Sequence, residues 1–139
     1  MLALLLAVSL DLTSPQALRW YDDLLAEGGH GRFEQERAAF LIRERDGTLT
    51  LEPWAHSGFR HASFEGTIPA RTIAILHTHP ANAPDPSSGD RAEAKRLGLP
   101  VVVITPDSVI AADPSAGRTR VLSSGRNRAP SVRRTLLPR

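Results

Sequence analysis

The residues best able to do chemistry lie close together: His77-Thr78-His79-Pro80, then Ser87-Ser88-Gly89-Asp90. Thr72 to His77 reads as a strand, so two histidines at i and i+2 at its end present both imidazoles to one face. Two neutral imidazoles and a carboxylate are what a catalytic zinc takes from a protein, with the fourth position left to water. Asp90 is the natural third ligand, in the first turn of the next helix. Strand ends and helix starts are where α/β sites usually lie. Each part also has a plainer reading. Most isolated His-x-His pairs are surface or core histidines. Ser87-x-x-Asp90 is a helix capping box with Asp in place of Glu. The capping and ligand readings are compatible, and the conjunction of all the parts carries the zinc reading.

The elements around this stretch must position it. Thr13-Ser14-Pro15 starts a helix with a hydroxyl cap and a proline in the first turn. Ala17, Leu18, Tyr21, Leu24 and Leu25 continue it at spacings of three and four, up to Gly28-Gly29. Residues 37–43 read as a strand buried on both faces at its centre, Asp46-Gly47 as a hairpin turn, and Thr48 to Trp54 as the return strand. Residues 55–70 are loop-like. Residues 80–89 hold three prolines and form an irregular loop. Ser88 to Leu97 is a helix closed by Gly98, and Pro100 to Thr105 a buried strand. Ser108 to Ala112 and Thr119 to Leu122 complete a meander. The order predicts an α/β domain, a mixed β-sheet flanked by helices.

The spacing from His77-x-His79-Pro80 to Ser87-x-x-Asp90 resembles the signature of the JAMM/MPN zinc metalloprotease family. That signature has a further part, a glutamate opening an upstream strand of the form E-x-C-G-x-L-L-G. Glu36-Arg37-Ala38-Ala39-Phe40-Leu41-Ile42 is similar, departing at Ala38 for Cys, Ala39 for Gly and Arg43 for the closing Gly. The resemblance covers roughly residues 8–122. It implies a single MPN domain of cytidine-deaminase-like fold and one Zn²⁺ on His77, His79 and Asp90. It implies Glu36 as general base and Ser87 as a donor to the oxyanion, where a preorganised donor is worth ~3 kcal/mol. It implies hydrolysis of an amide or isopeptide bond in a protein or peptide, often a ubiquitin-like one. Glu34, Glu44, Glu52 and Glu65 are the rival glutamates; Glu36 is preferred because it alone opens the apolar strand. His30, His56 and His61 lie in polar loops and are expected to be solvated or locally bonded. Little chain follows Asp90, so a minimal, prokaryotic-type member is expected. The alternatives are a non-catalytic MPN scaffold and a RadC-like protein with a nucleic-acid-associated role, since HTHPANAPDPSSGD is also similar to that branch.

Composition narrows the chemistry further. The 139 residues include no cysteine, which excludes a disulfide scaffold, a thiol nucleophile and thiolate zinc. It also excludes the PCxxC of zinc deaminases, and HExxH is absent. The chain carries 17 basic and 15 acidic residues. Five of the arginines (126, 128, 133, 134 and 139) lie in residues 123–139, which hold no acid. Residues 1–122 are therefore mildly acidic, and the domain over 13–122 is followed by a flexible Arg-rich tail, 123–139, with no strong nucleic-acid signal. The apolar run over residues 2–10 is too short for a membrane span. It reads as a first strand, Val8 to Leu12 entering the sheet, or as a signal-like segment. The strand is preferred, and with it the cytoplasm; a signal would export the chain.

Overall fold

A computed structural model of the chain describes residues 3, 7–8, 11–32, 36–55, 57–58, 61–62, 66–115 and 117–125. Helix α1 spans Pro15–Glu27. Ser14 caps it, its Oγ accepting from the Ala17 amide at 3.2 Å, and Gly28 ends it. Its buried residues are Ala17, Tyr21, Leu24 and Leu25, the face expected from their spacing. Strands β1 (Ala38–Arg43) and β2 (Leu49–Pro53) form a hairpin. Asp46 Oδ1 accepts from the Thr48 amide at 2.9 Å in its turn, and Gly47 there has φ +85°, which glycine adopts without steric cost. Within the expected loop 55–70, β3 (Ser57–Gly58) and β4 (His61–Ala62) make a short two-stranded ladder. Strand β5 (Thr72–Thr78), helix α2 (Ser88–Leu97) and strand β6 (Val101–Ile104) follow. Strands β7 (Ser108–Ala112) and β8 (Thr119–Ser124) close the chain's main sheet.

That sheet runs β2-β1-β5-β6-β7-β8; β5 and β6 are parallel and every other pair is antiparallel. The parallel pair needs a crossover, which α2 supplies. The two-residue period of the strands divides the core. Ala39, Leu41, Ala74, Leu76, Val102 and Ile104 pack with α1 on one face. Phe40, Ile42, Ile75 and Val101 pack with Ala94 and Leu97 of α2 on the other. Each strand at the centre is thus buried on both sides, as the unbroken apolar run 38–42 predicts. No described helix is long and apolar enough to cross a membrane.

The N-terminal expectation needs correction. Ala7, Val8, Asp11 and Leu12 are helical, so neither end of the expected strand Val8 to Leu12 enters the sheet. Tyr21 donates to the Leu12 carbonyl at 2.7 Å, and the Asp11 carboxylate pairs with Arg43 at the end of β1. Arg43, which departs from the family pattern, thereby ties the N-terminal segment to the sheet. Strand β8 also runs two residues past Leu122, so Ser123 and Ser124 belong to the sheet and not to the tail. Of the tail, residues 126–139 lie outside the described residues.

Candidate metal centre

Pairing with β6 holds both histidines in strand geometry. His77 sits opposite Val103, and the His79 amide, one residue past β5, donates to the Ile104 carbonyl at 3.0 Å. The i, i+2 spacing therefore keeps its meaning through His79. The two rings stack with centroids 4.7 Å apart. Both face the α2 side of the sheet, and the first turn of α2 brings Asp90 against them.

The ligand atoms converge. His77 Nε2 and His79 Nε2 are 2.9 Å apart. Asp90 Oδ1 lies 3.3 Å from His77 Nε2, and Oδ2 lies 3.6 Å from His79 Nε2. Atoms about 2.0–2.1 Å from a tetrahedral ion stand about 3.3–3.4 Å from one another. The observed separations, measured to the two different oxygens of the Asp90 carboxylate, bracket that spacing, so the three residues could hold one small ion. They form a group able to hold a metal.

Protonation favours the same use. His79 Nδ1 is 2.9 Å from the Ala83 carbonyl. A carbonyl only accepts, so Nδ1 carries the hydrogen and Nε2 keeps its lone pair for the triangle. Burial, then the neighbouring His77, pushes the His79 imidazole below its ordinary range, against the Ala83 carbonyl and the Asp90 and Glu36 carboxylates. The neutral ring that metal binding requires is thus favoured. Burial works against the Asp90 charge, but His77 and the bonds to Ser87 outweigh it and hold the carboxyl well below the usual range.

Asp90 also has a second task. Its Oδ2 accepts from the Ser87 amide at 2.6 Å, while Ser87 Oγ accepts from the Asp90 amide at 3.1 Å. This reciprocal pair is the capping box of α2. The box fixes the carboxylate in the orientation that meets the two imidazoles. The Ser87 hydroxyl thus lies against Asp90 at the edge of the cleft.

Glu36 reaches the same cleft from β1. The β1–β5 register pairs Phe40 with Ile75 and Ala38 with His77. One more alternation puts Glu36 level with His79 on the α2 face. The cleft, about 680 Å³, is lined at one end by Glu36, His77, His79, Ser87 and Asp90. The rest is lined by apolar side chains, Phe40, Trp54 and Ile75 among them, and by charged Glu93 and Arg96 of α2. The departures from the signature fit this geometry. Ala38 is the cross-strand neighbour of His77, and Ala39 is fully buried on the α1 face.

The other candidates lie elsewhere. Glu44 is bonded to Thr50 and Arg71 at the hairpin, Glu52 is exposed on β2, and His30 follows α1 with φ +56°. Glu34, His56 and Glu65 lie outside the described residues, as does the side chain of His61. Two contributors carried no signal in the sequence. The Ala83 carbonyl is a backbone group. Gly31, whose carbonyl accepts from the Ala81 amide at 3.1 Å, pins the start of the same loop. A Cβ on Gly31 would sit 2.9 Å from Pro106 Cδ and 3.0 Å from Ala81 N, too close for any other residue.

A family model described as prokaryotic homologs of the JAB domain matches residues 23–121. No curated protein and no solved structure matches the chain. The matched span contains Glu36, both histidines, Ser87 and Asp90, five strands of the six-stranded sheet and the start of β8. On that match, the chain belongs to the prokaryotic branch of the JAB-domain family.

Proposed function

We propose that the protein is a zinc-dependent hydrolase of amide bonds, a JAMM-type metallopeptidase or isopeptidase acting on a peptide or ubiquitin-like protein. The observation that carries this reading is the triangle of His77 Nε2, His79 Nε2 and the Asp90 carboxylate, with Glu36 level with it across the β1–β5 register. Imidazole and carboxylate donors without thiolate suit zinc. When bound, the ion supplies a Lewis acid and a water acidified towards neutral pH.

The chain's own residues do the rest. His77 and His79 offer neutral nitrogens, and Asp90 offers a charge locked by the capping box. Glu36 takes a proton from the attacking water and hands it to the leaving amine nitrogen. An ester would not need that second transfer, so an amide gives Glu36 its full role. Ser87 Oγ–H donates to the substrate oxygen as negative charge develops on it. Phe40, Trp54 and Ile75 offer apolar surface to the substrate beside the site.

The direct test is a screen of the zinc-loaded protein against isopeptide-linked, linear and cell-wall peptides. Glu36→Gln serves as the blank. Cleavage of at least one class by the wild type, and none by the blank, is expected. Inertness towards all three would leave the non-catalytic scaffold as the better reading.

Ser87 allows a separate check. Ser87→Ala should cost about 1 kcal/mol in denaturant unfolding, the usual value of an N-cap. It should also slow turnover about a hundredfold, the low end for a lost oxyanion donor. Ser87→Thr should restore both. A stability loss with turnover intact would make Ser87 a helix cap only.

A further inference from the structure

We infer that Thr78, the residue between the two histidines, is a positioning residue that holds Glu36 in the cleft; this rests on the reading of Glu36 as the base. Thr78 alternates with the histidines, so its side chain faces away from them, and it is 1% exposed. Only Thr78 and Thr105 are buried polar residues among those described. Thr105 is accounted for locally, since its hydroxyl bonds to Ser108 across the β6–β7 turn. The Thr78 hydroxyl instead spans two strands. Its Oγ1 accepts from the Arg37 amide at 2.9 Å, and the Thr78 amide donates to the Arg37 carbonyl at 2.9 Å.

In a regular antiparallel ladder, such a pair would exchange two backbone bonds. Here the second bond ends on a side chain. The rung next to Glu36 is therefore made by the Thr78 hydroxyl, at the point where β1 leaves the sheet: the Arg37–Thr78 pair lies one step beyond Ala38–His77. Both peptide groups of Arg37 are held, and with them the backbone that aims the Glu36 side chain. The same residue separates the two metal-facing imidazoles. One side chain thus sets the distance between the candidate base and the candidate ligands. A valine of the same shape would take this acceptor from the part-buried Arg37 amide, a loss that the chain lessens by moving.

The test uses the full chain loaded with zinc and compares Thr78→Val and Thr78→Ser with the wild type. One zinc per chain is expected in all three. The Arg37 amide should exchange its hydrogen at least tenfold faster in Thr78→Val and near the wild-type rate in Thr78→Ser. Crystal structures should show the Glu36 carboxylate displaced in Thr78→Val, with His77, His79 and Asp90 unmoved. On any peptide that the wild type cleaves, kcat should fall at least tenfold with KM little changed, and serine should restore it. Unchanged exchange at Arg37, or a Glu36 carboxylate that stays in place, overturns the inference. So does loss of zinc or of folding in Thr78→Val and Thr78→Ala alike, which would assign Thr78 to the metal site or the fold. Full activity in Glu36→Gln would sink the base reading instead, whatever Thr78 does.

Discussion

Glu36→Gln should keep one zinc per chain and lose at least about a hundredfold in turnover, the lower range for removal of a general base. The two halves of this result have different origins. Zinc is kept because the ligand triangle closes without Glu36: its three separations involve only His77, His79 and Asp90. Turnover is lost because glutamine matches the shape and accepts hydrogen bonds but cannot take a proton at neutral pH. Metal content measured by mass spectrometry, beside rates on a cleaved peptide, separates the two. Turnover that survives the substitution would move the base elsewhere, and Glu34 would be the next residue to change. Zinc loss in Glu36→Gln would instead make Glu36 a ligand, against the register that sets it beside the triangle.

The parts of this site that could be read in the sequence are those with a side-chain period behind them. Helix α1 shows its face through Ala17, Tyr21, Leu24 and Leu25, and α2 carries a cap at each end, in Ser87 and Gly98. The central strands show as short apolar runs between turn residues. The histidine pair was readable because a strand gives i and i+2 a common face, and the β6 ladder extends that geometry past the strand's end to His79. The N-terminal run lacked any such guide. A continuous apolar stretch has neither a period of two nor one of 3.6, so strand and helix look alike in it. The structure makes Val8, Asp11 and Leu12 helical and ties the segment through Asp11–Arg43 and Tyr21–Leu12. Those are contacts between separate elements that no local pattern announces. Ser123 and Ser124 look like tail because serine carries no strand signal; pairing with Ser108 and Val109 puts them in the sheet. The Ala83 carbonyl that fixes the His79 tautomer was invisible for a plainer reason. Every residue has a carbonyl, and only the fold aims one.

Asp90→Ala and Asp90→Asn should both lose zinc, yet the alanine should lose more stability than the asparagine. The difference follows from the double use of one carboxylate. Towards the cleft, Asp90 supplies the negative charge that two neutral imidazoles lack, and neither variant replaces it. Two imidazoles alone leave a site short of the three protein ligands that hold a catalytic zinc. Towards the helix, Oδ2 accepts from the Ser87 amide, a bond that an amide oxygen can also accept. Asparagine should therefore retain most of the cap, whereas alanine orphans that amide at a cost of about 1 kcal/mol. The carboxyl's depressed pKa fixes the sign of the pH effect. Its contribution to stability is fully present above the ordinary carboxylate range and is lost as pH falls through the lower, folded value. Neutral asparagine has no such titration. The wild-type advantage over Asp90→Asn in metal-free protein should therefore shrink on acidification, as read by denaturant unfolding at several pH values. Stoichiometric zinc in both variants would remove Asp90 from the site and return Ser87-x-x-Asp90 to a helix cap alone.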